Sequence, residues 1–510
     1  MADEIAADVA MGRMEGPFEV GLLAPSRSQR QVGSDGKDKI RRAEDWRSSG
    51  ANDTVGVPDT PAYHGIDAFV HLARAVRSSS HPRQGGLRLW GLDHEAAYRQ
   101  LPVEDPSHTF VVLNTPQGPT LWKHNVLLFG STASVWGYCR VADLMTWMPR
   151  CMLLSPNLHF VDDFGSVETQ RLAHSCFRTT QTLCAALGLK FKDSKKQPPA
   201  QQHQLQGVSL SLGDLEATVA ITPERARRID NQLKEILLNN RLAPREASSL
   251  AGKLQFVSQS LFGQASAAAL RPIYKRARGA CFRSESADWQ LTEGLKEALE
   301  FLRLRLRDSK PRVVRYEVAE RAVIYADAFF ELEGKRFKPS EIEDVPSWGN
   351  KPPAAFTNGW GFVARVGERT FFAAGSVPFW FARHFASKRS YIYMLEIIAQ
   401  IVPLIVLSEV VPPHLLLFID NEPARHALTK GFGNCRNLNK LLQVAWSFTE
   451  KNGWWPVWQR VASSANASDG VSRFDFSLAR EQNWEWCESD YDAIFHRLLS
   501  AVNAFPFQGL

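Results

Sequence analysis

His159-Phe160-Val161-Asp162-Asp163-Phe164-Gly165 is the stretch on which this chain turns. Apolar residues flank two adjacent carboxylates and a Gly follows, the pattern of a β-hairpin carrying its acids at the turn. Neighbouring aspartates repel each other, and either solvent or a divalent cation makes them tolerable. For an isolated pair the solvated turn is the simpler reading, so the surroundings decide.

Upstream, Leu87, Leu89 and Trp90 make an apolar strand that delivers Asp93 to its end, and Ala96, Ala97 and Tyr98 then turn the chain. An acid there can meet the Asp162-Asp163 turn of a neighbouring strand. Three converging carboxylates would hold two Mg²⁺. Leu127-Leu128-Phe129-Gly130 comes between them, and a Gly after an apolar run lets a backbone approach a ligand. A helix of small and apolar residues is expected from about Ser134 to Trp147. Beyond the acid pair, Leu187-Gly188-Leu189-Lys190 ends a helix, and Lys195-Lys196, Pro198-Pro199 and Leu205-Gln206-Gly207-Val208 complete the block.

Ahead of all this, residues 1–36 open with a short helix and run into a Pro/Ser/Gly-rich loop from Pro25 to Gly36. In Lys37 to Arg47 the cations, Lys39 and Arg41 among them, precede the acids, and Ser48-Ser49-Gly50-Ala51-Asn52 turns the chain. This is either a solvated charged hairpin or a triphosphate clamp, since Arg and Lys donors suit phosphate oxygens.

From Thr222 the character changes. Thr222 can cap a helix with Pro223 at its first position. Ile229, Leu233, Ile236 and Leu237 follow at helical spacing, and a second helical run spans Arg245 to Phe262. Arg271, Lys275, Arg276 and Arg278 cluster behind it, as a solvated basic face or as a contact to a nucleic-acid backbone. Residues 283–320 are charged and look helical. At Arg321 a new α/β pattern begins. Ala322 to Ala326 is a strand ending in Asp327, and Trp360 to Val363 and Thr370 to Phe372 are two more antiparallel strands. Glu396 begins an apolar helical run that Pro403 should kink or end. Leu415 to Ile419 is a buried strand ending in Asp420, and Asn466-Ala467-Ser468-Asp469-Gly470 leads into Val471-Ser472-Arg473.

The ordered set of Asp93 with Ala97-Tyr98, Phe129-Gly130, Phe160 to Asp163, Leu187 to Lys190 and Leu205 to Val208 resembles the palm of a reverse transcriptase. Lys39 to Asn52 resembles the fingers of that family. Asp327, Glu396, Asp420 and Asp469 resemble the four-carboxylate set of ribonuclease H, each in a matching neighbourhood. The resemblance covers roughly residues 10–475 and is nearest to DIRS-type and related retroelement polyproteins. It implies a mixed α+β and α/β multidomain fold. Fingers and palm would occupy 1–220, a helical thumb 221–282, a connection 283–320, a ribonuclease H-like domain 321–480 and a tail 481–510. It also implies an RNA-directed DNA polymerase that uses an RNA template, a DNA primer and deoxynucleoside triphosphates, and that cleaves RNA in RNA–DNA hybrids. Each active site would take two Mg²⁺, with Mn²⁺ as a substitute.

By the same resemblance Asp93 and Asp162 ligate both polymerase metals, with Asp163 adjacent and less essential. Lys39 and Arg41 hold the triphosphate. Tyr98 lies under the sugar, Phe129 and Gly130 border the nascent base pair, and Lys195 or Lys196 reaches the outgoing pyrophosphate. Two departures stand out. A long insertion containing Lys351-Pro352-Pro353 follows Asp327. The stretch Trp458 to Ala462 also lacks the His that many ribonucleases H carry ahead of the last acid, which bears on product release.

Composition is compatible with this. The chain has 510 residues, 44% hydrophobic, enough for about two to four domains. A formal charge of +6 permits a nucleic-acid partner without demanding one. Seven Cys without a C-x-x-C pair suit a reducing, intracellular setting and argue against zinc. The acidic N-terminus lacks the apolar core of a signal peptide. The longest apolar run, Ile397 to Val411, is broken by Gln400, Pro403 and Glu409 and is too short for a bilayer. Two rivals remain: a domesticated copy that binds nucleic acid without synthesis, and a structural protein whose acids are ordinary surface residues.

Overall fold

The structure, a computed structural model, describes residues 2–18, 31–32, 38–39, 46, 50–56, 58–115, 118–260, 264–279, 289–308, 310–317, 320–332, 335–336, 356–382, 391–433 and 436–504. The chain divides into two compact α/β units: Met1–Thr218 with Val314–Tyr316, and Val219–Val313 with Glu317–Leu510.

The first unit is built on a four-stranded antiparallel sheet in the order Leu158–Phe160, Asp163–Thr169, Leu87–Asp93, Gln197–Ala200. Leu87–Asp93 is buried along almost its whole length, as a central strand is. The helix Ile66–Ser79 docks where Gly165 leaves room. A Cβ there would lie 2.8 Å from the Trp90 carbonyl oxygen and 2.9 Å from the Phe69 ring. Trp90, Tyr138, Met145, Phe164, Cys184 and Leu189 close one core, with Met145, Phe164 and Leu189 each contributing about 1.5–3 kcal/mol by leaving water. The expected helix after Gly130 runs Thr132–Leu153, and Gln170–Ala186 is the one that ends at Leu187-Gly188. A second sheet, Met14–Phe18, Gly118–His124, Phe110–Thr115, carries the N-terminal helix Ala2–Ala10, held by Asp8 on Arg99 at 2.6 Å.

The second unit opens with helices Pro223–Leu238, Pro244–Ser260, Ala265–Ala277 and Glu293–Arg307. Thr222 caps the first, accepting from Arg225 N, with Pro223 at its first turn. These helices share one buried core with the sheet that follows. The segment expected to be a helical connection is helical only to Arg307. Arg312–Arg315 is a strand paired beside Glu216–Ile221, where the β-branched Val313 and Val314 suit a pleated ladder and Val314 is the residue that is buried.

The large sheet runs Trp455–Arg460, His414–Ile419, Arg321–Leu332, Phe356–Val366, Arg369–Gly375, Glu485–Trp486. The first three strands are parallel and the middle pairs antiparallel. One expectation needs correction, and of the two outcomes open to Pro403 one is excluded. The strand carrying Asp327 does not end there but continues to Leu332, since Ala328, Phe329 and Phe330 keep it apolar. Pro403 does not end its helix, Tyr391–Val406: its carbonyl still accepts from Leu407 N at 3.0 Å. Residues 337–355 of the insertion lie outside the described residues. The last helix, Tyr491–Asn503, buries Ile494, Phe495 and Leu498 in the same core. Among the described residues no helix is long and apolar enough to cross a membrane.

Candidate functional site

Acids gather at two places, one in each unit. In the first, Asp93 and Asp163 face each other as a registered pair across adjacent strands, and Asp162 sits in the turn beside them. Val161 makes that turn tight by adopting φ +54, a strained left-handed conformation for a β-branched residue that costs about 1–3 kcal/mol. His94 N donates to the Asp162 carbonyl at 3.1 Å and ties the two acidic segments together. Burial, then the charges of Asp162 and Asp93, push the Asp163 carboxyl well above the usual carboxylate range.

Lys192 N donates to the Asp93 carbonyl at 2.8 Å, and this anchors the segment that places the Lys195 ammonium on Asp93 Oδ2. Lys196 instead pairs with Asp193 at 2.7 Å. Lys195 is thus the cation of the two that reaches the acids.

Tyr98 packs edge-on against Phe129, with ring centroids 5.2 Å apart, and against Tyr138 at 5.4 Å. Burial, then the charge of Asp162, raises its phenol. Gly130 is exposed with φ +93. Asn52, read in sequence as the end of the fingers-like segment with no role of its own, brackets it: its amide donates to the Gly130 carbonyl at 3.0 Å, and its oxygen accepts from Thr132 N at 2.9 Å. Of Lys39 the structure describes only the backbone, in the short strand Asp38–Lys39, and Arg41 lies outside the described residues. His94 is another residue that sequence reasoning passed over, although it adjoins Asp93. Burial lowers its imidazole to about 4, so the ring is neutral, and it hydrogen-bonds Tyr138 Oη at 2.5 Å.

In the second unit Asp327, Glu396 and Asp420 come from two neighbouring parallel strands and the helix that packs on them. Among the described residues this is the one group of three acids or metal-ligating side chains whose ligand atoms all lie within 4.8 Å of one another. Asp93, Asp162 and Asp163 are not drawn together as closely; there Lys195 already supplies a positive charge. Glu396 is held well above its ordinary range, first by burial and then by the charges of Asp327, Asp420 and Asp469. Its Oε2 is buried with no hydrogen-bond partner.

Asp469 starts the short helix Asp469–Ser472 and is held by Arg473 at 3.1 Å. Ser472 Oγ donates to Asp327 at 2.6 Å, and Ser463 Oγ to Asp420 at 2.7 Å. That helix lies directly on Gly361, the register partner of Asp327. A Cβ at Gly361 would collide with Ser472 N and sit 2.7 Å from its Cα. Ser472 and Arg473 stood in the sequence motif around Asp469 without a role assigned to them, and Ser463 carried no signal.

One member of the basic cluster after Phe262, Arg276, needs a correction. The Arg276 side chain is buried and donates to the carbonyls of Leu242, Trp289 and Gln290 at 2.9–3.1 Å. It ties a loop to the helices and is not part of an exposed basic face.

An all-carboxylate donor set suits a hard, oxygen-seeking cation such as Mg²⁺ or Mn²⁺, and the orphaned Glu396 oxygen fits such an ion. No family model and no curated protein matches the sequence. Among solved structures the chain is similar to a foamy viral protease-reverse transcriptase dRH in complex with ds DNA. That match has 14% identity and a TM-score of 0.44, and covers 89% of this chain and 68% of that one. It is also similar to the foamy viral protease-reverse transcriptase in complex with dsDNA, at 14% and 0.44, covering 90% and 82%. A third likeness is to that enzyme in complex with RNA/DNA hybrid, at 11% and 0.42, covering 93% and 76%.

Proposed function

We propose that this chain is the RNA-directed DNA polymerase of a retroelement, with a ribonuclease H in its second unit. The observation that carries the reading is the placement of acids far apart in sequence: Asp93 opposite Asp163 beside Asp162, and Asp327 with Glu396 and Asp420. Surface acids scattered without function have no reason to converge twice, since each convergence works against like-charge repulsion.

In the first unit Asp93 and Asp162, with Asp163 behind them, would hold Mg²⁺. In the second, Asp327, Glu396, Asp420 and Asp469 would do so. Such cations, when bound, would supply charge neutralisation at the phosphate and at the attacking and leaving oxygens of an in-line displacement. The protein's part is positioning. Tyr98 offers a rigid ring beside Asp162 where a nucleotide sugar would lie. Gly130, with its carbonyl fixed by Asn52, leaves room for a base pair. Lys195, now on Asp93, is placed to follow the triphosphate, and Lys39 and Arg41 are its further candidate partners. In the second unit Ser463, Ser472 and Arg473 orient the acids so that they need not move when an RNA–DNA hybrid binds.

The test is primer extension on an RNA template together with cleavage of a labelled RNA–DNA hybrid, each with Mg²⁺ and with EDTA. Mg²⁺-dependent signal is expected in both. Binding of nucleic acid without either activity would mark a domesticated copy instead.

A further inference from the structure

We infer that Gln400 is a positioning residue of the second acid cluster, clamping the strands of Asp327 and Asp420 at the separation a cation requires. This rests on the reading of that cluster as a metal centre. The parallel ladder between Arg321–Leu332 and His414–Ile419 ends at the pair Tyr325 and Phe418. Asp327 lies two residues beyond the end on one strand, and Asp420 two beyond it on the other. The strand carbonyls left at the end of the ladder find their donor in Gln400, whose Nε2 donates to Ala326 O and Phe418 O, both at 3.1 Å.

Gln400 stands one helical turn past Glu396, so a single helix supplies both the third acid and the clamp. The choice of residue is otherwise hard to explain. Gln400 is 0% exposed among Ile397, Ile398, Ala399, Ile401 and Val402, where an aliphatic side chain would pack without difficulty. Its Oε1 is buried with no hydrogen-bond partner. The side chain therefore serves its donor end at the expense of its acceptor end. With two carbonyls as neighbours, only the NH₂ end can face them. Without the clamp, repulsion among three carboxylates would spread the strands just where the ladder no longer holds them.

The test uses the full chain. Gln400→Met keeps the length and removes the donors, and Gln400→Leu is the alternative should the first not fold. Mn²⁺ binding is titrated calorimetrically in the unsubstituted chain, in Asp327→Asn and in the Gln400 variant. The Mg²⁺ midpoint is read for hybrid cleavage and separately for DNA synthesis. Mn²⁺ affinity at the site lost in Asp327→Asn is expected to weaken about ten-fold or more in the Gln400 variant. The cleavage midpoint should rise in parallel and the synthesis midpoint stay put. A lower melting temperature with affinity and midpoint unchanged would reduce Gln400 to ordinary packing and overturn the inference alone. Mn²⁺ binding indifferent to Asp327→Asn would overturn the metal-centre reading and this inference together.

Discussion

Tyr98 touches Phe129 and Tyr138 and feels the charge of Asp162, so its ring is stiff, and on the proposed function it stands where a nucleotide sugar would lie. Exclusion by a clash exceeds the roughly 1–3 kcal/mol that one added group commands in a soft pocket. Tyr98→Ala is expected to raise the ratio of kcat/KM for ribonucleotides over deoxynucleotides by about ten-fold or more. Both insertions falling together at an unchanged ratio would make the ring plain packing. Asp163 makes a second residue-level prediction. Its folded-state pKa is raised, so between its ordinary value of 3.8 and that raised value the folded form keeps a proton the unfolded chain has lost. Its contribution to stability is therefore present at low pH and lost as pH rises through that window, by at most about 1.4 kcal/mol per pH unit. In EDTA, urea denaturation of Asp163→Asn should decline less from pH 4 to 7 than that of the unsubstituted chain. Identical slopes would mean that Asp163 is ionised without metal.

At the scale of elements, the joint between the Asp469–Ser472 helix and the sheet is set by Gly361. Gly361→Ala forces a methyl into Ser472 backbone, which has no flexible end to yield. Overpacking of this kind costs about 1–3 kcal/mol. Hybrid cleavage should fall sharply in Gly361→Ala because Ser472 leaves Asp327, while primer extension is retained. Full cleavage in a folded variant would show that the joint does not serve the site. The elements themselves were legible where the signal is local. Leu87 to Asp93 and Phe160 to Asp163 carry apolar runs that stop at acids, and Thr222-Pro223 is a self-contained start signal. Long-range facts were not legible. Nothing near Arg276 in sequence says that carbonyls from a distant loop will surround its guanidinium, and nothing near Lys195 says that Lys192 will pin it to Asp93. The helix continues through Pro403 because the lost hydrogen bond is outweighed by the burial of Ile401, Val402 and Leu404 around it. The end of the strand at Asp327 misled because an acid looks like a stop, and only the apolar residues after it show that the ladder goes on.

For the whole molecule, the two acid sets belong to separate compact units with cores of their own, so each chemistry should be removable without the other. Asp162→Asn takes one carboxylate from the first set and leaves the second intact. Asp420→Asn does the reverse. The most direct measurement is a paired assay, primer extension on an RNA template and cleavage of an RNA–DNA hybrid, run on the unsubstituted chain and these two variants at saturating Mg²⁺. Asp162→Asn is expected to abolish extension and spare cleavage, and Asp420→Asn to abolish cleavage and spare extension. Extension that persists in Asp162→Asn, or cleavage that persists in Asp420→Asn, would contradict the assignment of two metal-dependent active sites to this chain.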